Sequence, residues 1–253
     1  MNSIRFFFAY RTELPADAGF CAFGAAHCLW LAFLLASFYL ALRAYRRLDG
    51  GRREKWHRRE AAAAILDRWC MCGYYVIRGF YGTEYLPLHV CGMASYLVFL
   101  HAFFLRGRAR RVSSEILFFP MLPGAAAALL FPGWPEYPPL SLLSICEFLG
   151  HGFIVLYCLL RLTDGGIRPD VRRAWIPAAF TACYALFFIP FDRLTGYDFG
   201  FLAAPAASSP LAFLAERFGT GAGYYVSYAL LVLLCMAVSY AVLYFLRKIF
   251  RVS

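Results

Sequence analysis

The sequence predicts an all-α integral membrane protein: one bundle of seven transmembrane helices, with the N-terminus outside and the C-terminus in the cytoplasm. Three observations predict it. Hydrophobic residues make up 62% of the 253 and charged residues only 16%, whereas a soluble domain is nearer half apolar and a quarter charged. The chain divides into seven apolar runs, and seven bilayer crossings of roughly 20 residues each leave no room for a second domain. The basic residues fall in every second loop between those runs, the asymmetry that orients helices in a membrane.

The expected spans are 19–42, 62–82, 85–105, 114–131, 140–160, 174–191 and 222–246, within a single domain covering 1–253. The opening MNSIRFFFAYRTELPADAG has too short an apolar run for a signal peptide, so the first span is expected to insert as an anchor. The second follows a basic loop and carries Asp67, Arg68, Tyr74 and Arg78. Only Gly82-Thr83-Glu84 separates it from the third, which opens with LPLHVC. The fourth is interrupted by Pro120 and Pro123. Neighbouring helices in a membrane can satisfy the carbonyls that such prolines free. The fifth follows the rigid aromatic loop FPGWPEYPP, and the sixth leads into a long loop over about 192–221. Within that loop, Ser209-Pro210 and Gly219 bracket a short capped helix. Its Leu211, Leu214, Ala215 and Phe218 face would lie on the membrane surface or roof a cavity. The seventh span closes the bundle.

Charge supports the count. The 1–2, 3–4 and 5–6 loops and the C-terminus hold 19 of the 25 basic residues, so these connections face the cytoplasm under the positive-inside rule. The net charge of +10 is therefore read as membrane orientation, with no nucleic acid among the expected partners. Nine cysteines are present without a CxxC pair, so neither a disulfide framework nor a structural metal is expected, and no cofactor is called for.

Ionisable residues inside apolar spans are costly and point to function. Ser144, Glu147, His151 and Cys158 fall at helical spacing on one face of the fifth span. At about 1.5 Å per residue, His89 and Cys91 lie roughly 6 to 9 Å inside the outer boundary, Glu147 roughly 10 Å and His151 about 16 Å. Arg78, His89, Cys91, Glu147 and His151 could thus line one cavity opening to the outer leaflet. Two residues apart, His89 and Cys91 point roughly 200° apart on a regular helix, so both face one cavity only if the turn after Pro87 is irregular. Each residue also has a structural reading. Cys91 suits a small packing position, His151 with Glu147 an interhelical hydrogen bond, and Arg78 an interfacial or lipid-phosphate contact. His27 and His101 lie near span ends, and Asp67 and Arg68 near the inner interface, where charge is tolerable.

LPLHVC at 86–91 resembles the LPLHLC-type motif at the outer start of the third span in the YwaF-like family of bacterial seven-span membrane proteins. His27 in FGAAHCLWL, His151 in FLGHGFIVL and the stretch TGYDFGFLAAP at 195–205 resemble further parts of that family in the same order. The chain departs from it at Asp198 and Phe199, where the family has Asn and Tyr, and at Ala203 and Ala204, where the family is basic. A more distant similarity is to the eukaryotic transmembrane protein 164 family of thiol-dependent phospholipid acyltransferases. That similarity implies a lipid acyltransferase or lipid hydrolase, with a phospholipid or acyl-lipid as substrate. Cys91 would be the nucleophile, His151 or His89 the base and Glu147 its orienting partner. Arg78, His27 and Asp198 would be the substrate-binding candidates. The implied location is the bacterial inner membrane, as a multi-pass protein. The competing readings are a transport or ligand-binding protein using His89, Glu147 and His151 as a proton site, and a structural partner of another membrane protein. A polar path continuing inward past His151 toward Cys158 would favour transport. A dry, tightly packed centre with neither that path nor a Cys91–imidazole contact would favour the structural role.

Overall fold

The computed structural model describes residues 6–80, 82–205 and 209–250; Arg251, one of the expected C-terminal basic residues, lies outside them. Among the described residues the secondary structure is helical throughout: α1 (Ala25–Arg46), α2 (Gly50–Ile77), α3 (Val90–Phe103), α4 (Gly107–Ile116), α5 (Leu122–Leu130), α6 (Leu142–Thr163), α7 (Trp175–Thr195), α8 (Pro210–Phe218) and α9 (Ala222–Phe250). Five segments are long and apolar enough to cross a membrane: Ala25–Arg46, Gly107–Leu130, Leu142–Thr163, Val171–Thr195 and Ala222–Phe245. Helix α3 is apolar but shorter, at 14 residues. The first turns of α2 are too charged to count by composition.

Helix α2 differs most from expectation. It begins at Gly50, where the Asp49 carboxylate caps the helix by accepting from the Arg52 amide at 2.9 Å. The basic stretch read as a loop is therefore helical. At its other end, Gly79 adopts φ +77°, and the amides of Gly79 and Phe80 return to the carbonyls of Val76 and Tyr75 at 3.0 and 2.9 Å. This is a Schellman close, which ends the helix before the expected 82. Pro87 then holds Leu86 extended, so the link to α3 runs from 78 to 89 rather than over three residues. The fourth segment bends within Leu117–Met121, where Phe119 leaves helical φ/ψ immediately before Pro120. That proline lacks the amide a continuing helix would need.

Helix α6 is the axis of the bundle. Small residues let its neighbours close in. A Cβ at Gly150 would collide with the Asp67 carboxylate, and one at Gly152 would lie 3.0 Å from Leu34. Helix α2 packs along α6 and α3, α5 packs on α6, and α7 packs on α4. The outer faces of α1 and α9 expose Leu29, Phe33, Leu35, Leu230, Leu234 and Val238, apolar surface that suits acyl chains. Residues 6–24 fold back over the end of the bundle that holds Cys91. The Phe20 amide donates to Pro135 at 2.8 Å, the Leu142 amide donates to Phe7 at 2.9 Å, and the Tyr10 and Tyr85 hydroxyls meet at 3.0 Å.

Candidate functional site

The LPLHVC segment is held in a sharp bend before α3. Gly92 sits so close to this bend that a Cβ there would lie 2.7 Å from the Pro87 carbonyl oxygen. Tyr184 of α7 donates to the Leu88 carbonyl at 3.1 Å. His89 and Cys91, on either side of the helix start, then diverge. The His89 Nδ1 accepts from the Gly200 amide at 3.2 Å, and the ring packs against Phe199 and Phe201 at 5.2 and 5.7 Å between centroids. Cys91, half-buried, turns its thiol to His151 on α6.

His151 is 2% exposed, and its orientation is fixed on three sides. Nδ1 donates to the backbone carbonyl of Glu147 at 2.7 Å, with a Glu147 carboxylate oxygen at 3.5 Å. Trp134 from the 131–141 loop stacks on the ring at 5.3 Å and 15°. A carbonyl can only accept, so the neutral imidazole carries its proton on Nδ1 and its lone pair on Nε2. Nε2 is buried, faces the Cys91 thiol, and makes no hydrogen bond of ordinary geometry among the described residues. The thiol thus has beside it an imidazole nitrogen with a lone pair able to accept its proton.

Sequence reasoning missed the cation beside this pair. Arg68 on α2 is 9% exposed and interacts electrostatically with Glu147, Cys91 and Asp67. Its neighbour Asp67 packs against Gly150 and lies beside the Cys146 thiol. Both were expected near the inner interface. The signal that would have moved them was the Asp49 cap, because with α2 starting at Gly50 the two residues sit deep in the helix rather than near its entrance. Among the described residues, further buried polar atoms without partners lie on the elements that carry this pair: Arg68 Nε on α2, Ser95 Oγ one turn along α3 from Cys91, Trp134 Nε1 in the loop stacked on His151, and Ser144 Oγ on α6.

The other candidates lie elsewhere. Arg78 donates to the Phe8 carbonyl at 3.0 Å and pairs with Glu13, so it ties down the N-terminal segment. His27 is fully buried, with Nδ1 accepting from the Phe23 amide at 2.8 Å and Nε2 at 2.8 Å from the Leu129 carbonyl. Both ring nitrogens are thus occupied by backbone. Asp198 accepts from the amides of Leu202, Ala203 and Ala204 at 2.7, 3.0 and 2.8 Å and shapes its own loop. Tyr224 and Tyr228 of α9 donate to the carbonyls of Phe201 and Gly200 and hold that loop against His89. Cys158, deeper on the α6 stripe, donates to the Leu117 carbonyl at 3.7 Å. Among the described residues no three His, Cys, Asp or Glu side chains form a metal-binding group. Two shallow apolar grooves, one around Leu186 and Pro190 and one around Ala237 and Tyr240, include neither Cys91 nor His151.

The structure thus brings Cys91, His151 and Glu147 together with Arg68, and shows Arg78, His89, His27 and Asp198 hydrogen-bonded to the groups named above. Compared with known proteins, residues 22–240 match the family model described as the TMEM164 family. No curated protein and no solved structure matches the chain.

Proposed function

The chain belongs to the TMEM164 family, and from that premise we propose that it transfers or hydrolyses lipid acyl chains through a thioester on Cys91. The observation that carries this reading is the pairing of the Cys91 thiol with a His151 whose Nδ1 is committed to the Glu147 carbonyl. A thiol is a weak nucleophile until it loses its proton, and Nε2 is the one imidazole nitrogen with a lone pair to take it. Glu147, 3.5 Å from Nδ1, stabilises the imidazolium that results. Cys91 sulfur then bonds to the carbonyl carbon of an acyl ester. The ester C–O bond breaks, and His151 returns the proton to the departing alcohol. An acceptor alcohol or water next attacks the thioester by the same proton relay, and the thiol is restored.

Seven crossings complete the arrangement, with α2 and α3 added to the five long apolar segments, the N-terminus outside and the site in the outer half of the bilayer. The bacterial inner membrane is the expected home. Below His151, α6 presents Ile154 and Val155, both packed into the apolar core. That apolar stretch interrupts a polar path from the site toward Cys158 and supports acyl chemistry over ion conduction.

The test is to label the purified protein with a lipid-like thiol-reactive ester and locate the adduct by mass spectrometry. We expect an acyl adduct on Cys91 that is lost in Cys91→Ser. Equal labelling of the two proteins would overturn the proposal.

A further inference from the structure

Arg68 is a cation without a hydrogen bond. It is 9% exposed, its Nε is buried without a partner, and among the described residues none of its guanidinium nitrogens donates to any acceptor. Burying a charge in apolar surroundings is expensive unless it is paired and hydrogen-bonded. Guanidinium also presents five donors in a fixed fork, so an idle one is the more unusual. The carboxylates nearby act on it only through space: among the described residues neither Asp67 nor Glu147 forms an ion pair with it, and Glu147 lies 3.5 Å from His151. Its other electrostatic neighbours are the thiols of Cys91 and Cys72 and the His89 ring, and of these Cys91 is the one paired with His151.

The position is also well held. Arg68 stands on α2 where that helix packs against both α6 and α3, between the helix that carries the base and the helix that carries the nucleophile. The neighbouring Asp67 seats against Gly150, which has no Cβ to hold α2 away. The charge is therefore placed by helix packing rather than by a mobile loop, the kind of preorganisation that makes an electrostatic stabiliser effective.

We propose that Arg68 is the oxyanion-binding residue of this site, donating to the oxygen that becomes negative when Cys91 attacks an acyl ester. The inference rests on the thioester reading of Cys91 and His151. When sulfur bonds to the carbonyl carbon, the π pair moves onto the carbonyl oxygen, and Arg68 supplies the matching charge and N–H donors. When the ester C–O bond breaks, the carbonyl re-forms and the guanidinium is released. Deacylation passes through the same oxyanion. The substrate is thus recognised at its ester carbonyl, and the headgroup phosphate needs no contact with Arg68.

The experiment compares two reactions of Cys91 in the full-length protein in detergent: acylation by a lipid-like p-nitrophenyl ester, which develops an oxyanion, and alkylation by iodoacetamide, which does not. In Arg68→Gln, acylation is expected to fall by on the order of 10²-fold or more while alkylation at the same pH changes far less. Arg68→Lys should recover part of the acylation. Retained alkylation also reports that the variant is folded with its thiol accessible. Equal loss of both reactions would make Arg68 a stabiliser of the thiolate and overturn the proposal. Unchanged acylation would make it a bystander and do the same. A raised KM for phosphodiester donors alone, with neutral esters unaffected, would assign Arg68 to the headgroup and likewise overturn it. Absence of an acyl adduct on Cys91 in the wild type would defeat the thioester reading itself, an outcome separable from all of these.

Discussion

Two polar clusters are buried in this apolar bundle, and they are built on opposite plans. At one end stand Cys91, His151, Glu147 and Arg68, with donors and acceptors left over. At the other, Asp164 gathers its neighbours. Tyr45 donates to it at 2.6 Å, His57 lies 2.8 Å away, Arg161 donates at 3.0 Å and the Gly166 amide at 2.8 Å. Nearby, Glu115 is fully buried and receives the Arg173 guanidinium at 2.6 Å and the Tyr240 hydroxyl at 3.0 Å. Carboxylates so fully paired hold helices in register. A cluster with unused donors carries a stability cost, which a reaction at that place would explain. The comparison teaches that a carboxylate that gathers its neighbours, more than burial or charge, marks the structural cluster, because His57 Nδ1 and Arg161 Nε are also buried without partners there among the described residues.

The largest effect that would sharpen the contrast is at the structural end. Asp164→Ala leaves His57, Tyr45 and Arg161 buried without their shared partner and should cost about 3–5 kcal/mol of stability, read as a lowered unfolding midpoint in detergent. Acylation of Cys91 per folded molecule should stay within about twofold, because the two clusters share no partner. A stable Asp164→Ala protein that no longer acylates would break the comparison and make the clusters one system.

At the other end the same logic runs in reverse. His151→Gln removes the base while keeping a polar side chain of similar length. Acyl-thioester formation should slow by roughly 10²- to 10⁴-fold, with an unfolding midpoint changed by no more than about 1 kcal/mol. Rapid-quench mass spectrometry of the adduct gives the rate. An unaltered rate would return His151 to the structural role of bonding Glu147.

Acid should also act on the structural end first. Burial opposes ionisation of Asp164, but the hydrogen bonds from His57 and Tyr45 and the charge of Arg161 outweigh it and hold its carboxyl at about 2. That is below the ordinary carboxylate value near 4. The stabilisation is therefore complete above pH 4 and lost as the pH falls toward 2, on the order of 2–3 kcal/mol. Burial likewise lowers His57, against the pull of Asp164. A histidine kept neutral by the fold favours the unfolded state once protonated, so stability should already begin to decline below about pH 6.5. Unfolding midpoints measured from pH 8 to 3 should show both steps, and His57→Gln should remove the earlier one. A midpoint rising on acidification from pH 7 to 5 would mean that His57 gains its charge in the folded state.

How much of this was legible follows from the range of each interaction. The long apolar helices could be read from composition, because a membrane crossing is a property of consecutive residues. The divergence of His89 and Cys91 is a matter of helical phase and was open to sequence reasoning, as was the pairing of Glu147 with His151 one turn apart. The start of α2 was obscured because its first turns are basic, and charge in a helix reads like charge in a loop. Once that start was misplaced, Arg68 was too. The Asp164 cluster was not legible, because its members come from α1, α2 and the end of α6 and meet only through packing. Cys91 stood out from eight other cysteines through motif resemblance. Nothing in composition marks it.

The smallest effect is also the most direct measure of the contrast, since one substitution can be made at both ends. Ser114 donates to the Arg110 carbonyl at 2.8 Å, and its oxygen lies 3.1 Å from His101 Nε2. The hydroxyl proton is committed, so His101 must donate from Nε2, which leaves Nδ1 to accept from the Tyr157 hydroxyl at 2.7 Å. Ser114→Ala would strand a buried imidazole N–H and should cost about 1–2 kcal/mol. Ser95 is as deeply buried, but its hydroxyl has no partner. Ser95→Ala removes an unsatisfied group from an apolar site and should leave stability unchanged or raise it by up to about 1 kcal/mol. Unfolding midpoints of the two alanine variants, taken side by side, should therefore move in different directions or by clearly different amounts. Equal losses would show that Ser95 is as well bonded in the working protein as Ser114, and the contrast between the two hydroxyls would fail where it is simplest to measure.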